Sequence, residues 1–551
     1  MPTFDLHELA PDADLACDVC IIGSGPAGAA IARELGQSPL QAILLESGAM
    51  ERQPLVDELN EIESVGWLRE LDQWLLRNRM IGGSSHTWAG RCAPFDPIDF
   101  EEREWVPFSG WPFDLDHLRP YLSRTVGYVG LGVGADYTDD RLWALADRPV
   151  PQPPLDAGLL MPFLWQYSQA HNNRFDIMRM GPELLANLPA NIRLVTNATV
   201  VQLNLDSYGH AIRSVEAVSL AGRRQTIRAR TVVLCAGGIE NARLLLCSNK
   251  VERQGIGNGR DLVGRFLMDH PRGIVGTFDT SDSKEILRRF GLHHASFGSR
   301  SYRFRHGFRL SPTVQKREGL LNCAAWLDER VSEDDPWRAI NRIFRRESRS
   351  MKEVRAIIAN SDMLLKGVHD LFVRKRGLSR RLESLYLMCM TEQLPDRESR
   401  ITLSDRRDRL GVPLSRIDWK VSKLEEMTIR RIAELAAAEL ARLGFKPPRL
   451  ESWVTNGEAL PSTFRDIGHP TGTTRMSDDP HKGVVDGQCQ VHGVDGLFVV
   501  GSSVFPTAGH ANPTQMIVAL AIRAADMLKA RHAAGSQAHL EGSHARARSY
   551  A

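Results

Sequence analysis

Apolar residues recur along this chain in two rhythms. Short unbroken runs rich in β-branched residues occur at 18–22 (DVCII), 42–46 (AILLE), 191–195, 198–203 and 231–235 (TVVLC). Such runs are expected of strands buried on both faces of a parallel sheet. Helical spacing takes over from Pro26 to about Leu35, near Leu115 to Tyr128, from Ile239 to about Cys247 and from about Lys423 to Leu443. Residues 416–420 read as one more strand, and no internal repeat is seen. From about Pro94 to Pro154 the chain is rich in Pro, Trp and Asp, which suits a cover over the sheet better than a part of it. Residues 337–381 are helical in pattern and heavily basic, with Ile357, Leu364 and Leu371 between the charges. They read as a solvated helical face, or as a surface for anionic lipid or an acidic partner. The last eighteen residues, 534–551, are Ser, Gly, His and Arg with little apolar content, so a disordered tail is predicted.

The first apolar run leads directly into GSGPAG, residues 23–28. Gly23 permits a tight turn, Gly25 lets backbone approach a phosphate, and Gly28 lets the following helix pack closely on the strand. Pro26 and Ala27 open that helix, whose free N–H groups and positive dipole end suit a pyrophosphate. The next strand ends at Glu46, followed by Ser47, and the Glu46 carboxylate is placed to accept ribose hydroxyls. A plain glycine turn in a βαβ unit is the simpler alternative. This fingerprint does not separate FAD from NAD. A second strand, glycine and helix unit, with Ala236, Gly237 and Asn241, is what a flavoprotein built from two dinucleotide halves needs. A loop at 79–88 supplies Gly82, Gly83, Ser84, Ser85 and His86, whose glycines allow backbone contact with a planar or phosphate group.

With 551 residues, 42% hydrophobic and 25% charged, the chain is large enough for two or more domains. A formal charge of +2 gives no case for nucleic acid as partner. Residues 1–16 are polar and acidic, unlike a signal or transit peptide, and no apolar run approaches the roughly 18 residues of a membrane span. A cytoplasmic location is the expectation. Of the eight cysteines, Cys235, Cys247, Cys323 and Cys389 sit in apolar stretches and read as reduced core residues. Cys17 and Cys20 have C-x-x-C spacing, but no second pair follows, so no metal site is expected.

Candidate chemistry lies near the C-terminus, in HPTGT at 469–473 and GHANPT at 509–514. A neutral imidazole at His469 can take a proton from an alcohol. The Asn512 amide can donate a hydrogen bond to the oxygen that gains charge. His510 is a second candidate for the base, ranked after His469, or lines the same pocket and tunes what binds there, or packs behind the loop. The plainer alternatives are that His469 closes a Pro-Gly turn and that Asn512 caps the helix opening at Pro513.

Taken together, GSGPAG with Glu46, the GGSS loop at 82–85, residues 231–241, VGRFLMDHP at 263–271, SRITL at 399–403, HPTGT and residues 501–514 resemble the glucose-methanol-choline (GMC) oxidoreductases over nearly the whole length. The resemblance implies an α/β fold, with a Rossmann-like FAD-binding domain (1–95, 191–275 and 460–533) interleaved with an α+β substrate domain (96–190 and 276–459) whose antiparallel sheet is flanked by helices. It implies FAD-dependent oxidation of an alcohol, with His469 as base and Asn512 five residues after Thr507. It also implies cofactor contacts at Val200, Gly501, Ser502, Pro513 and Thr514, with the last two opening a helix toward the flavin's pyrimidine end. Some sugar oxidases of the family tether FAD through an S-T-H-W histidine. Here residues 85–88 read SHTW, so non-covalent FAD is expected, with His86 in backbone or hydrogen-bond contact. The GGSSHTW loop resembles sugar, glycoside or polyol members. An apolar alcohol remains an alternative given Trp326, Trp337 and Trp453, as does a lyase with a structural flavin. The electron acceptor is O2 or a quinone-like carrier, and the oligomeric state is not set by the sequence.

Overall fold

The computed structural model describes residues 3–10, 15–67, 69–70, 72–132, 138–298, 300–344, 350–372 and 380–549. An eight-stranded sheet lies at one side of the molecule. Its parallel part runs Thr3–Asp5, Ile192–Thr196, Ala42–Leu45, Leu15–Ile22, Arg224–Leu234, with Leu497–Val499 also parallel to the last of these. Thr199–Leu205 and Ile212–Val218 extend it as an antiparallel meander. Both faces are covered, so Val19, Cys20, Ile21, Ile43 and Leu44 are all buried and the strands carry no polar alternation. Helix Pro26–Leu35 packs on the start of helix Thr514–Ser549. Each presents buried alanines at that depth, Ala29, Ala30 and Ala32 on one and Ala519, Ala521 and Ala525 on the other, which lets the two approach closely.

A second eight-stranded sheet is antiparallel, in the order Arg449–Leu450, Arg272–Phe278, Leu382–Thr391, Cys323–Val331, Arg300–Leu310, Leu160–Tyr167, Arg91–Cys92, with Leu292–Phe297 beside Arg300–Leu310. Its side chains alternate between two destinations. Cys323, Ala325, Leu327, Leu385, Leu387 and Cys389 form a core with Ile429, Ile432, Ala433 and Leu440 of helix Lys423–Arg442. That helix begins where expected because Ser422 and Glu425 form a reciprocal capping box. The opposite face carries Trp165, Trp326 and Met390 toward the parallel-sheet core. This sheet takes in Arg91–Cys92 and the whole of Arg272–Phe278, so its strands cross the partition at 95/96 and 275/276 drawn from the sequence. A small sheet of Arg400–Arg407, Pro413–Trp419 and Ile62–Gly66 completes the fold.

The basic stretch forms helices Pro336–Phe344, Met351–Ala359 and Ser361–Phe372, inserted between two neighbouring strands of the antiparallel sheet. Helix Thr514–Ser549 runs on through residues 534–549, where the sequence predicts a disordered tail. Alanine, arginine, glutamine and leucine in that segment favour helix intrinsically. No helix among the described residues is long and apolar enough to cross a membrane.

Candidate active site

A cavity of about 420 Å³ runs between the glycine turn of the parallel sheet and the inward face of the antiparallel sheet. At the first end the turn is locked from several sides. Gly23 has φ +95°, a left-handed conformation suited to glycine. A Cβ on Gly28 would stand 1.8 Å from the Gly23 carbonyl oxygen, so helix and turn touch only because that side chain is absent. The backbone N–H and hydroxyl of Ser24 both donate to Glu46 Oε2, at 3.0 and 2.6 Å, and Gly48 N–H donates to Oε1 at 3.1 Å. Burial raises the Glu46 carboxyl, and these donors work against the shift. The Ser24 hydroxyl in turn accepts from Gly82 N–H at 3.1 Å, and a Cβ on Gly83 would lie 2.9 Å from Gly25 Cα. The GGSS loop is thereby seated on the first turn. Arg77 and Arg79 both reach Glu240, at 3.0 and 2.7 Å, and Arg79 also donates to the Ser47 hydroxyl at 3.1 Å.

At the far end three side chains form a chain of hydrogen bonds whose directions can be derived. His270 Nε2 lies 3.0 Å from the Gly509 carbonyl oxygen, which only accepts, so Nε2 carries the proton. Burial holds His270 below its ordinary pKa and therefore neutral, leaving its Nδ1 an acceptor. That atom is 3.1 Å from His469 Nδ1, which must then carry a proton and donate. His469 Nε2 is left unprotonated and accepts from the Asn512 amide N–H at 3.3 Å. Burial lowers the His469 pKa to about 3, with His270 adding to the effect and Asp269 opposing it. The imidazole is thus neutral, with its basic nitrogen beside Asn512. The Asp269 carboxylate holds the His469 turn by accepting from the N–H groups of His270, Ile467 and His469. Arg69 bridges Asp269 and Asp466, at 2.9 Å to each, and all three side chains are buried. Burial, only partly opposed by Arg69, pushes Asp466 up to about 6.

The family model for GMC oxidoreductases matches residues 395–521, a span that contains both HPTGT and GHANPT. The chain is 26% identical to 2-methyl-1,2-propanediol dehydrogenase of Mycolicibacterium austroafricanum, over 93% of this chain and 95% of that one. It is 26% identical to paromamine 6'-oxidase of Streptomyces fradiae, over 93% and 91%. Among solved structures, pyridoxine 4-oxidase from Mesorbium loti superposes with a TM-score of 0.56 at 18% identity, covering 93% of this chain and 99% of that one, which shows a shared fold. Residues 395–521 are thus a GMC oxidoreductase C-terminal domain, and the near-full-length relatives and the shared fold extend the similarity to the rest of the chain. Members of this family are FAD enzymes acting on CH–OH groups, and the cavity fits that cofactor on its own terms. Gly25, Gly237 and Gly501 line it, and a Cβ on any of the three would meet nothing within 4 Å, so the chain leaves these approaches open. At the other end the buried Asn512 Oδ1 has no protein partner.

Most of the residues singled out from the sequence converge on this cavity. Gly23, Gly25, Pro26, Ala27, Glu46 and Ser47 line it at one end, Gly83, Ser84, Ser85, Val200, Ala236 and Gly237 along it, and His469, Gly501, Ser502, Asn512, Pro513 and Thr514 at the other. Gly28 and Gly82 stand behind the lining and shape the turns. Asn241 is buried, accepting from Ala236 N–H and donating to the Ser503 hydroxyl, so it braces the second glycine turn. His86 is not in the lining: its Nε2 bonds the Ile81 carbonyl at 2.8 Å, away from the cavity. His510 is also outside it. Its ring packs 4.7 Å from that of Phe163, and Nδ1 lies 3.7 Å from both Asp96 and Asp99. Of these, Asp96 already pairs with Arg309. Sequence reasoning assigned no role to His270, Asp269, Arg69, Arg91 or Arg272. The DHP triplet at 269–271 was visible inside a matched motif and was the one available signal for the first two.

Proposed function

We propose that this enzyme oxidises an alcohol group of a sugar, glycoside or other polyol to a carbonyl, with His469 as the base and Asn512 as the group that holds the reacting oxygen. The observation that carries this reading is the unprotonated Nε2 of His469 beside Asn512 in the cavity. His469 accepts the hydroxyl proton at Nε2, because its Nδ1 proton is committed to His270. His270 prevents the other tautomer, in which the proton would sit on the nitrogen needed as base. The Asn512 amide donates to the substrate oxygen as charge develops there and orients the C–H bond. Bound FAD supplies the acceptor for the hydride released from that carbon. The N–H groups opening helix Thr514–Ser549 face the end of the cavity where negative charge would build, as a helix N-terminus favours. Glu46 and the glycine turn would hold the adenosine and pyrophosphate.

Relatives named for propanediol, paromamine, fructose and C-glycosides support the substrate class. The electron acceptor is O2 or a quinone-like carrier, and the enzyme works in the cytoplasm. An anaerobic panel of sugars, glycosides and simple alcohols, read by bleaching of the flavin absorbance, tests the reaction. Bleaching by at least one polyol is expected, and a flavin that no alcohol reduces would end this reading. Peroxide release in air identifies an oxidase, and its absence with quinone reduction identifies a dehydrogenase.

A further inference from the structure

Two arginines line the cavity from the antiparallel sheet without a carboxylate in contact with them. Arg91 lies on Arg91–Cys92 opposite Tyr167, and Arg272 opens Arg272–Phe278 opposite Met390. Both line the cavity together with His469 and Trp326. The Arg91 guanidinium carbon stands 5.1 Å from the ring centre of Trp165 and 5.7 Å from that of Trp326, and its buried Nε has no partner. Among the described residues, neither arginine side chain makes a hydrogen bond or an ion pair. Arg69, Arg103 and Arg243 each face a buried carboxylate, whereas the buried Arg475 has only the Phe108 carbonyl. Burial lowers the Arg272 pKa and the charge of Arg91 lowers it further, against the opposing pull of Asp328, Asp269 and Asp466. Each also lowers the pKa of His469, which places both charges around the base.

Arg91 is half-buried and Arg272 exposed, so both guanidiniums are open to a ligand entering the cavity, and two like charges lining one cleft favour an anion there. The pyrophosphate of a dinucleotide does not fill that role, because its cradle is the glycine turn on the parallel sheet at the other end. We propose that the alcohol oxidised here carries an anionic oxyacid group, a carboxylate or a phosphate, bound by Arg91 and Arg272 beside His469 over the indole of Trp326. The proposal rests on the alcohol-oxidation reading and narrows it to acidic substrates such as sugar acids or sugar phosphates. Guanidinium suits both oxyanions, since its planar fork can give two parallel hydrogen bonds. The same pair repels amino sugars, which gives the site a selectivity by charge.

The test has two arms on the holoenzyme. In the first, acetate, malonate and inorganic phosphate, none of which has an alcohol to oxidise, are titrated while the flavin absorbance is followed. Saturable perturbation by at least one anion is expected, weakened by about 10- to 100-fold in Arg91→Gln and in Arg272→Gln, with Arg272→Lys intermediate. In the second, anaerobic flavin reduction is compared for glucose, gluconate, glucose 6-phosphate and glucosamine, and for glycerol, glycerate and glycerol 3-phosphate. The acidic members should be preferred by at least about tenfold in kcat/KM, with either the carboxylates or the phosphates leading. That preference should collapse in the glutamine variants chiefly through KM. Neutral or cationic alcohols reducing the flavin as well as acidic ones, or a preference that survives both substitutions, overturns the proposal. Anion binding that depends on the arginines, with no alcohol of any charge reducing the flavin, overturns the reaction assigned above and leaves the anion site standing.

Discussion

At one end of the cavity Gly23, Gly25 and Gly28 act by having no side chain. At the other, the side chains of His270, His469 and Asn512 are joined by hydrogen bonds across widely separated parts of the chain, with Arg91 and Arg272 lining the same cavity. The glycine end is a local device: a strand, a turn and a helix within fourteen residues, Leu15–Ile22 through Gly28, closed by Glu46. The catalytic end is assembled from loops after two sheets, and its chemistry depends on hydrogen-bond directions that no single segment contains. A cofactor site can therefore be specified by spacing alone, whereas a base with the correct tautomer needs a second residue to forbid the wrong one.

Substitutions at the glycine end should have the largest effects. Gly28→Ala must displace the Gly23 carbonyl or the helix, an overpacking of about 1 to 3 kcal/mol or more, and is expected to yield protein of lowered melting temperature that retains no FAD. Gly25→Ala, whose Cβ meets nothing within 4 Å, should instead fold with unchanged melting temperature as apoprotein and bind FAD weakly. Equal behaviour of the two variants would refute the division between packing and cofactor approach. His469→Ala should keep its flavin and slow anaerobic flavin reduction by about 10²- to 10⁴-fold, measured by stopped flow.

A smaller loss separates tautomer control from mere packing. His270→Phe, with no acceptor for the His469 proton, should cost about 10- to 100-fold in the same rate. His270→Asn, which offers an acceptor and a donor on one amide, should recover part of it. If phenylalanine and asparagine behave alike, His270 only fills space. The smallest expected change is with pH. The form of His469 that acts as base is the neutral one, and with a pKa near 3 it is lost only as pH falls toward that value. The rate of flavin reduction should therefore stay nearly level from pH 8 to about 5, where an unburied histidine would show an acid limb near 6.5. Stability follows the same sign. An unfolded chain binds protons near 6.5 at His469 and His293 that the native protein, with both near 3, does not, so stability falls as pH drops below about 6.5.

The parallel sheet was legible because both of its faces are covered and its strands are plain apolar runs. The antiparallel sheet was expected from the family resemblance, but most of its strands were not legible in the residue pattern, for the converse reason. In Arg300–Leu310, RSYRFRHGFRL, the buried Tyr302, Phe304, His306 and Phe308 alternate with Arg303, which is exposed, and with Arg305 and Arg309, which bond Tyr167 and Asp96, and a one-dimensional reading takes so polar a run for irregular chain. His86 and His510 stood in the right motifs and turn away from the cavity, toward the Ile81 carbonyl and toward Asp96 and Asp99. Motif position does not say which way a side chain points.

The sequence by itself determined the dinucleotide turn, the family, the FAD chemistry and the two residues at the heart of the proposed mechanism. The turn rests on residues close together in the chain, where spacing dictates geometry, and the rest follows from motifs spread from Gly23 to Thr514 that resemble one family. Only the tertiary structure decided which nitrogen of His469 is unprotonated and which charges surround it, because Gly509, His270 and the two sheet arginines lie far apart in sequence and act on that imidazole only once the sheets have closed around it.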